Sequence, residues 1–521
     1  MRSIPRHLVT ALVAAALSAT LATGCNTADS SADSADDAAT TSAANGATTT
    51  TPTTTTAVDR PDGPAATFAP ITGGKGVYLL SANPGPKLAD AGYTEAEFSA
   101  SGTATAYSRD GDVPADGTMS LTPTTKAPFS TRVVVRRPAD AAAFSGTVVV
   151  EWLNVSSGAD ASPDYTYLSD ELVRHGDAWV GVSAQRIGIE GGPVAVAVNV
   201  GIDTGAGKGI KTVDPERYGS LVHPGDAYSY DIFTQVGRAL RSSTTTGSPL
   251  DGLTPERLLA AGESQSAFAL TTYADGVQPL TKEYDGFLIH SRGGSSAPLG
   301  EPDSGIDIAG TIFGTPTRIR TDLAVPTMVV QTETDVLGVL DYYPARQPDT
   351  DRLRVWEIAG TAHADRAQIG AVESALGCAG PINNGQQQFV LRAALRALDT
   401  WASGGAAPPH AKPLDTTVTD GKPAFVLDDA GNVTGGIRTP VVDVPTSKLS
   451  GLPAPSASIV CTLMGSTTPF TADEIQRRYP AGDYAAKYAT ATDATIEAGF
   501  FLADDRDAII ADARPTGTPA G

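Results

Sequence analysis

From about residue 61 onward the apolar positions fall into short runs separated by turn residues. "TRVVVRRP" (131–138) and "GTVVVEWLNV" (146–155) are rich in β-branched residues and read as neighbouring strands. "YTYLSDELVRHG" then changes to helical spacing and stops at Gly176, after which "AWVGVSAQ" reads as the next strand. "AYSYDIFTQVGRALRS" and "QQQFVLRAALRALDTWASGG" carry apolar residues at helical intervals. Between them lie four further short apolar runs, "RLLAAGES", "YDGFLIHS", "VPTMVVQTE" and "LRVWEIAG". Strands alternating with helices predict an α/β protein with a mostly parallel central sheet covered by helices on both faces. In such a sheet ligands bind in the crevice at the carboxyl ends of the strands, so chemistry is expected just after each run.

Beyond about residue 400 the chain becomes rich in Gly, Pro and Thr without a strong repeat. It reads as an appended extension of loops and strands, ending in helices around "TADEIQRRY" and "DYAAKYATATDATIEAGFF". Segments 187–220 and 294–320 are Gly-rich insertions near strand ends, either pocket-shaping elements or plain surface loops.

The N-terminus has a different logic. "MRSIPRH" carries Arg2 and Arg6, and sixteen uncharged residues then lead to "ATGC". A basic start followed by a short apolar run is an export signal, and sixteen residues fall short of the roughly 20 that a spanning helix needs. The stretch resembles a bacterial lipoprotein signal, with Ala22 where Leu is more usual; the resemblance implies that Cys25 receives the lipid. An ordinary secretory signal cut nearby is the alternative. The expected organisation is a signal over 1–24, a lipid-anchored Thr/Ser/Ala/Asp linker over 25–60 too polar to fold, and a folded domain over 61–521. The expected location is the outer face of the cytoplasmic membrane, or the exterior if the signal is simply cut.

A formal charge of −21 argues against nucleic acid as a partner, because a phosphate backbone attracts a basic surface. In an oxidising compartment Cys378 and Cys461, the two cysteines of the folded part, are expected to form a disulfide. No Cys/His metal spacing and no phosphate loop is present, so neither a metal nor another cofactor is indicated.

The chemistry concentrates at "LLAAGESQSAFAL" (258–270), where an apolar run passes through Gly-Glu-Ser-Gln-Ser into a helical stretch. A serine hydroxyl becomes a nucleophile only when a base takes its proton and N–H groups hold the oxyanion that develops. A sharp strand-to-helix turn lifts Ser264 above the sheet beside a helix N-terminus, and small residues two places to either side, Gly262 and Ser266, permit the turn. Ser266 departs from the glycine usual at that place.

The base is sought among six histidines. His7 belongs to the signal, and His175, His223 and His410 sit at a helix end or in loops as ordinary surface residues. His290 ends a strand and is a competitor. His363, in "VWEIAGTAHAD" just after the last strong strand, is favoured. An acid that orients the histidine should follow an intervening strand, and "VPTMVVQTETDVLG" offers Asp335, with Glu333 as its rival. For the oxyanion, backbone N–H groups of Gln265 and of Val155, or Asn154 next to it, are the expected donors.

In its serine, acid, histidine order the chain resembles the α/β-hydrolase superfamily. It is similar, more narrowly, to the bacterial family labelled "alpha/beta hydrolase domain-containing protein", through "GYTEAEFSASGTATAY", "VVVEWLNVSSG", "HPGDAYSYDIFTQVGRAL", "GESQS", "IHSRGG", "QTETDV", "WEIAGTAHAD" and "GGIRTP", spread over about 75–515. The resemblance implies an α/β-hydrolase fold and hydrolysis of a small-molecule carboxylic ester through an acyl-serine. Acyl transfer or amide cleavage at the same residues, an inactive binding lipoprotein and an envelope structural protein are the other readings.

Overall fold

Nine strands make the main sheet: β1 (Thr67–Pro70), β2 (Tyr93–Arg109), β3 (Leu121–Pro138), β4 (Thr147–Trp152), β5 (Ala178–Val182), β6 (Arg257–Glu263), β7 (Gly286–His290), β8 (Thr327–Thr332) and β9 (Leu353–Ile358). Their spatial order is β1-β2-β3-β5-β4-β6-β7-β8-β9. The computed structural model describes residues 59–199, 201, 203–242, 247–452 and 458–515; the expected export signal, Cys25 and the expected linker up to 58 lie outside the described residues.

Strands β4 to β9 are all parallel, and β1, β2, β3 and β5 pair antiparallel along one side. The parallel strands are nearly continuous apolar runs because both of their faces are covered. Successive side chains point to opposite faces, so Val148, Val150 and Trp152 join one core with Phe233 and Val236 of the helix Ser229–Ser242. Val149 joins the other, with Leu168 of the helix Pro163–His175 and Leu391 and Leu395 of the helix Gln387–Ala402. Gly176 ends the helix Pro163–His175 with φ 82°, a left-handed conformation that glycine reaches without strain.

Three features differ from the sequence reading. β3 and β4 follow each other in the chain but are not neighbours in the sheet, because β5 pairs with both. The connection over 139–146 is long enough to step over one strand, since two strand spacings span only about 10 Å. The 17- and 18-residue strands β2 and β3 form a long hairpin, of which only the end of β3, residues 131–138, shows as an apolar run. Its inward residues include Ala100, Ala104 and Ala106, small because the helix Ser229–Ser242 lies directly on the strand. A Cβ on Gly102 would stand 2.6 Å from Gln235 Oε1, and Gln235 Nε2 donates to the Thr103 carbonyl at 2.8 Å.

The third difference concerns the C-terminal extension, which is woven into the sheet edge. The Ile437 amide donates to the Glu357 carbonyl at 2.7 Å, and Ile437 accepts from the Ala359 amide at 3.0 Å, so this segment continues the ladder past β9. Phe500 packs edge-on against Trp356, and Phe501 against Phe389. The expected helices are present as Ala472–Arg478 and Tyr484–Glu497, the first with a Thr471/Glu474 capping box.

The chain passes from β4 to β5 on one side of β4 and then to β6 on the other. Such a reversal opens a crevice between the carboxyl ends of β4 and β6, and residues 153–155 and Ser264 follow those two ends.

Candidate active site

β6 ends at Glu263 and the helix Gln265–Thr272 begins two residues later, so Ser264 alone makes the corner. It does so at φ 59° and ψ −118°, a region that costs a non-glycine residue strain and that surrounding bonds must enforce. Its amide donates to the His290 carbonyl at 3.0 Å, and the Ser266 hydroxyl donates to the Glu263 carbonyl at 2.8 Å. A Cβ on Gly262 would lie 3.0 Å from Leu270 and 3.2 Å from the Ser266 backbone. Smallness is therefore needed at 262, whereas at 266 the serine adds a bond across the turn that glycine would lack.

His363 follows β9 by five residues, and its imidazole joins two of the residues singled out by sequence. Nε2 lies 2.8 Å from Ser264 Oγ, and Nδ1 lies 2.7 Å from Asp335 Oδ1. These partners assign Nδ1 as donor to the carboxylate and Nε2 as acceptor of the hydroxyl proton. Asp335 is held in turn, for its Oδ2 accepts from the Thr332 amide at 2.7 Å and the Thr332 hydroxyl at 2.8 Å. Burial by itself would lower the imidazole pKa, but the carboxylate of Glu263, the hydrogen bond from Asp335 and the Asp335 charge together raise it above the usual 6.5.

Glu333, the rival acid, does not touch the histidine. Its two oxygens accept from the Gly360 amide at 2.6 Å and the Gly451 amide at 2.8 Å, tying the loop before His363 to the C-terminal extension. Burial pushes its carboxyl up to about 7, against the pull of those two amides. His290 is buried with Nδ1 3.0 Å from Asp164 Oδ1 and offers its ring to neither Ser264 nor Asp335. Of the histidines expected on the surface, His223 is in fact buried, with Nε2 on the Ala184 carbonyl at 2.8 Å and its amide donating to Glu190 of the insertion 187–220 at 3.1 Å.

The oxyanion donors divide. Gln265 is the first residue of its helix, so its amide has no acceptor within the helix. The Val155 amide, in contrast, donates to Gln265 Oε1 at 3.2 Å, and the Asn154 amide to the Ala161 carbonyl at 2.9 Å. Both are thereby taken from the role expected for them, because each N–H has one hydrogen and it is already used.

Glu263 is the residue that sequence reasoning missed. Its Oε1 lies 3.3 Å from His363 Nε2, its Oε2 3.5 Å from Asn154 Nδ2, and it is 3% exposed. Burial raises its carboxyl to about 7, partly offset by His363 and His290. No local signal marks it; only its place next to Ser264 could have done so.

Above these groups lies a cavity of about 320 Å³, bounded by Ser264, His363 and Glu263 and by apolar side chains from several segments. The insertion 187–220 contributes Val196, Val198, Thr204 and Ala206, and so shapes the pocket; no residue of 294–320 lines it. Leu80 and Ala82 come from the segment before β2. Cys378 and Cys461 are bonded to each other with Cα atoms 5.5 Å apart, beside the wall formed by Leu463 and Met464. Among the described residues no group of three or more His, Cys, Asp or Glu could hold a metal ion.

A hydroxyl, an imidazole and a carboxylate in one hydrogen-bonded line can move a proton off the hydroxyl while the carboxylate steadies the resulting imidazolium. A family model described as "Alpha/beta hydrolase domain" matches residues 67–511. Among solved structures the chain is similar to the esterase Est22 (12% identity, TM-score 0.30), covering 61% of this chain and 82% of that one. A fungal esterase from Rhizomucor miehei is 11% identical with a TM-score of 0.28 over 58% of this chain and 85% of that chain. A serine hydrolase of Xanthomonas campestris, described as without a lid, is 14% identical with a TM-score of 0.26 over 53% and 93%. No curated protein matches the sequence.

Proposed function

Since this chain belongs to the alpha/beta hydrolase family, with the α/β-hydrolase fold, we propose that it is a serine hydrolase cleaving carboxylic esters through an acyl-serine intermediate. The observation that carries this reading is the imidazole of His363, 2.8 Å from Ser264 Oγ on one side and 2.7 Å from Asp335 on the other.

In this mechanism His363 Nε2 takes the Ser264 proton as Oγ attacks the ester carbonyl. The Gln265 amide, at the positive end of its helix, donates to the oxyanion of the tetrahedral adduct. Val155 adds a second N–H only when the Gln265 carboxamide swings off it. The imidazolium then hands its proton to the departing alkoxide, and water, deprotonated by the same nitrogen, releases the acid and restores the serine.

Ser264→Ala tests the reading. Hydrolysis of p-nitrophenyl esters and labelling by a fluorophosphonate should both vanish while the circular dichroism spectrum stays the same. Turnover retained by a folded variant rejects it.

We also propose that the enzyme works outside the cytoplasm, anchored through Cys25, on the strength of the basic start, the short apolar run and "ATGC". Cys25→Ser should abolish incorporation of a radiolabelled fatty acid by the expressing bacterium. Labelling that persists in the variant refutes the anchor.

A further inference from the structure

The cavity over Ser264 has an uneven chemistry. At its Ser264 end are Asn154, Ser156, Glu263 and His363. The rest of the lining is mostly aliphatic, with Val196 and Val198 on one segment, Ile369 and Val372 on a second, and Leu463 and Met464 on a third, and its polar members, among them Thr204 and Gln368, are uncharged. Neither lysine nor arginine is among the lining residues, and the ionisable ones, Glu263 and His363, both stand at the serine. An anionic substituent in the aliphatic part would be desolvated with no counter-charge, which is unfavourable.

The three walls are tied in place. The amides of Ala195 and Val196 both donate to the Ser156 carbonyl at 2.9 Å, hanging that segment from the loop after β4. The Leu463 carbonyl accepts from Ala364, next to His363, at 3.2 Å, and the Met464 carbonyl accepts from Asn383 at 2.8 Å. The Cys378–Cys461 bond joins the chain just past Val372 to the helix Ile459–Leu463. A wall already built asks little ordering of itself when a ligand enters. At about 30 Å³ per water-sized group, 320 Å³ accommodates roughly ten heavy atoms.

We propose that the substrate is an uncharged ester with one unbranched or aromatic apolar arm of up to about ten heavy atoms, seated between Val196 and Val198 and the wall of Ile369, Leu463 and Met464. This rests on the hydrolase reading given above.

Burying a methylene is worth about 0.8 kcal/mol, so each one added to the seated arm should raise kcat/KM about fourfold until the cavity is full. The experiment uses the purified protein and two ester series: p-nitrophenyl acetate to dodecanoate, which lengthens the acyl arm, and ethyl to decyl acetate, which lengthens the alcohol arm. At least one series should climb tenfold or more and then fall, and p-nitrophenyl pentanoate should be preferred at least tenfold over the anionic p-nitrophenyl glutarate. Met464→Trp and, independently, Val198→Phe should move the peak to a shorter ester, each checked for folding by fluorophosphonate labelling. Labelling of Ser264 with two flat series, or with the glutarate preferred, overturns the proposal and leaves the hydrolase reading standing. No labelling and no turnover overturns both.

Discussion

Glu263 Oε1 stands 3.3 Å from Nε2 of His363, the same nitrogen that meets the Ser264 hydroxyl at 2.8 Å. The imidazole therefore has a carboxylate at each of its nitrogens, Asp335 behind it and Glu263 in front. The other titratable groups acting on Glu263 are His290, Asp164 and Asp335.

The front carboxylate sets a pH dependence. Ionised Glu263 favours imidazolium, which raises the His363 pKa, and a protonated imidazole cannot accept the serine proton. Activity should then fall on acidification through a pKa above 6.5. Glu263→Gln removes that charge and keeps the size, so the acid limb of kcat/KM should move to lower pH while the alkaline plateau drops, the base having become weaker. A pH profile from 5 to 9 checks it. A limb that stays put or moves upward denies Glu263 this influence.

The two carboxylates after β8 should separate cleanly on substitution. Asp335→Asn leaves the imbedded geometry nearly intact but no longer fixes the imidazole tautomer, and kcat should fall about 10⁴-fold with little change in thermal stability. Glu333→Ala leaves the buried amides of Gly360 and Gly451 without their acceptor, which should cost about 1–3 kcal/mol per amide in stability and a smaller factor in kcat. Measured together, kcat and urea midpoints should show opposite emphasis in the two variants; the reverse pattern would make Glu333 the orienting acid.

What the sequence made legible was whatever lies on one strand or next to its end. β6, β8 and β9 are short, largely apolar and almost wholly buried runs, and Ser264, Asp335 and His363 follow them within a few residues. β2 was hidden because close packing against the helix Ser229–Ser242 demands Ala and Gly, which carry little strand signal. The engagement of Val155 by Gln265 was hidden for another reason: it joins loops 110 residues apart, and no local pattern encodes a tertiary hydrogen bond. The same holds for Glu333 and Gly451, by which the C-terminal extension supports the histidine loop.

The Cys378–Cys461 bond spans 83 residues and ties the chain past Val372 to the helix bearing Leu463, so its removal should act at two levels. Cross-linking restricts the unfolded chain, and in the chain-entropy account closing a loop of this length contributes about 4 kcal/mol. Cys378→Ala with Cys461→Ala should therefore lower the melting temperature, and reductant should lower that of the parent protein toward the same value while leaving the double variant unaffected. Ser264, Asp335 and His363 follow β6, β8 and β9 directly, so fluorophosphonate labelling of Ser264 should persist below the new melting point. Two titratable thiols in denatured, unreduced protein, or melting indifferent to both reductant and substitution, would place the stability of this wall in its hydrogen bonds and packing alone.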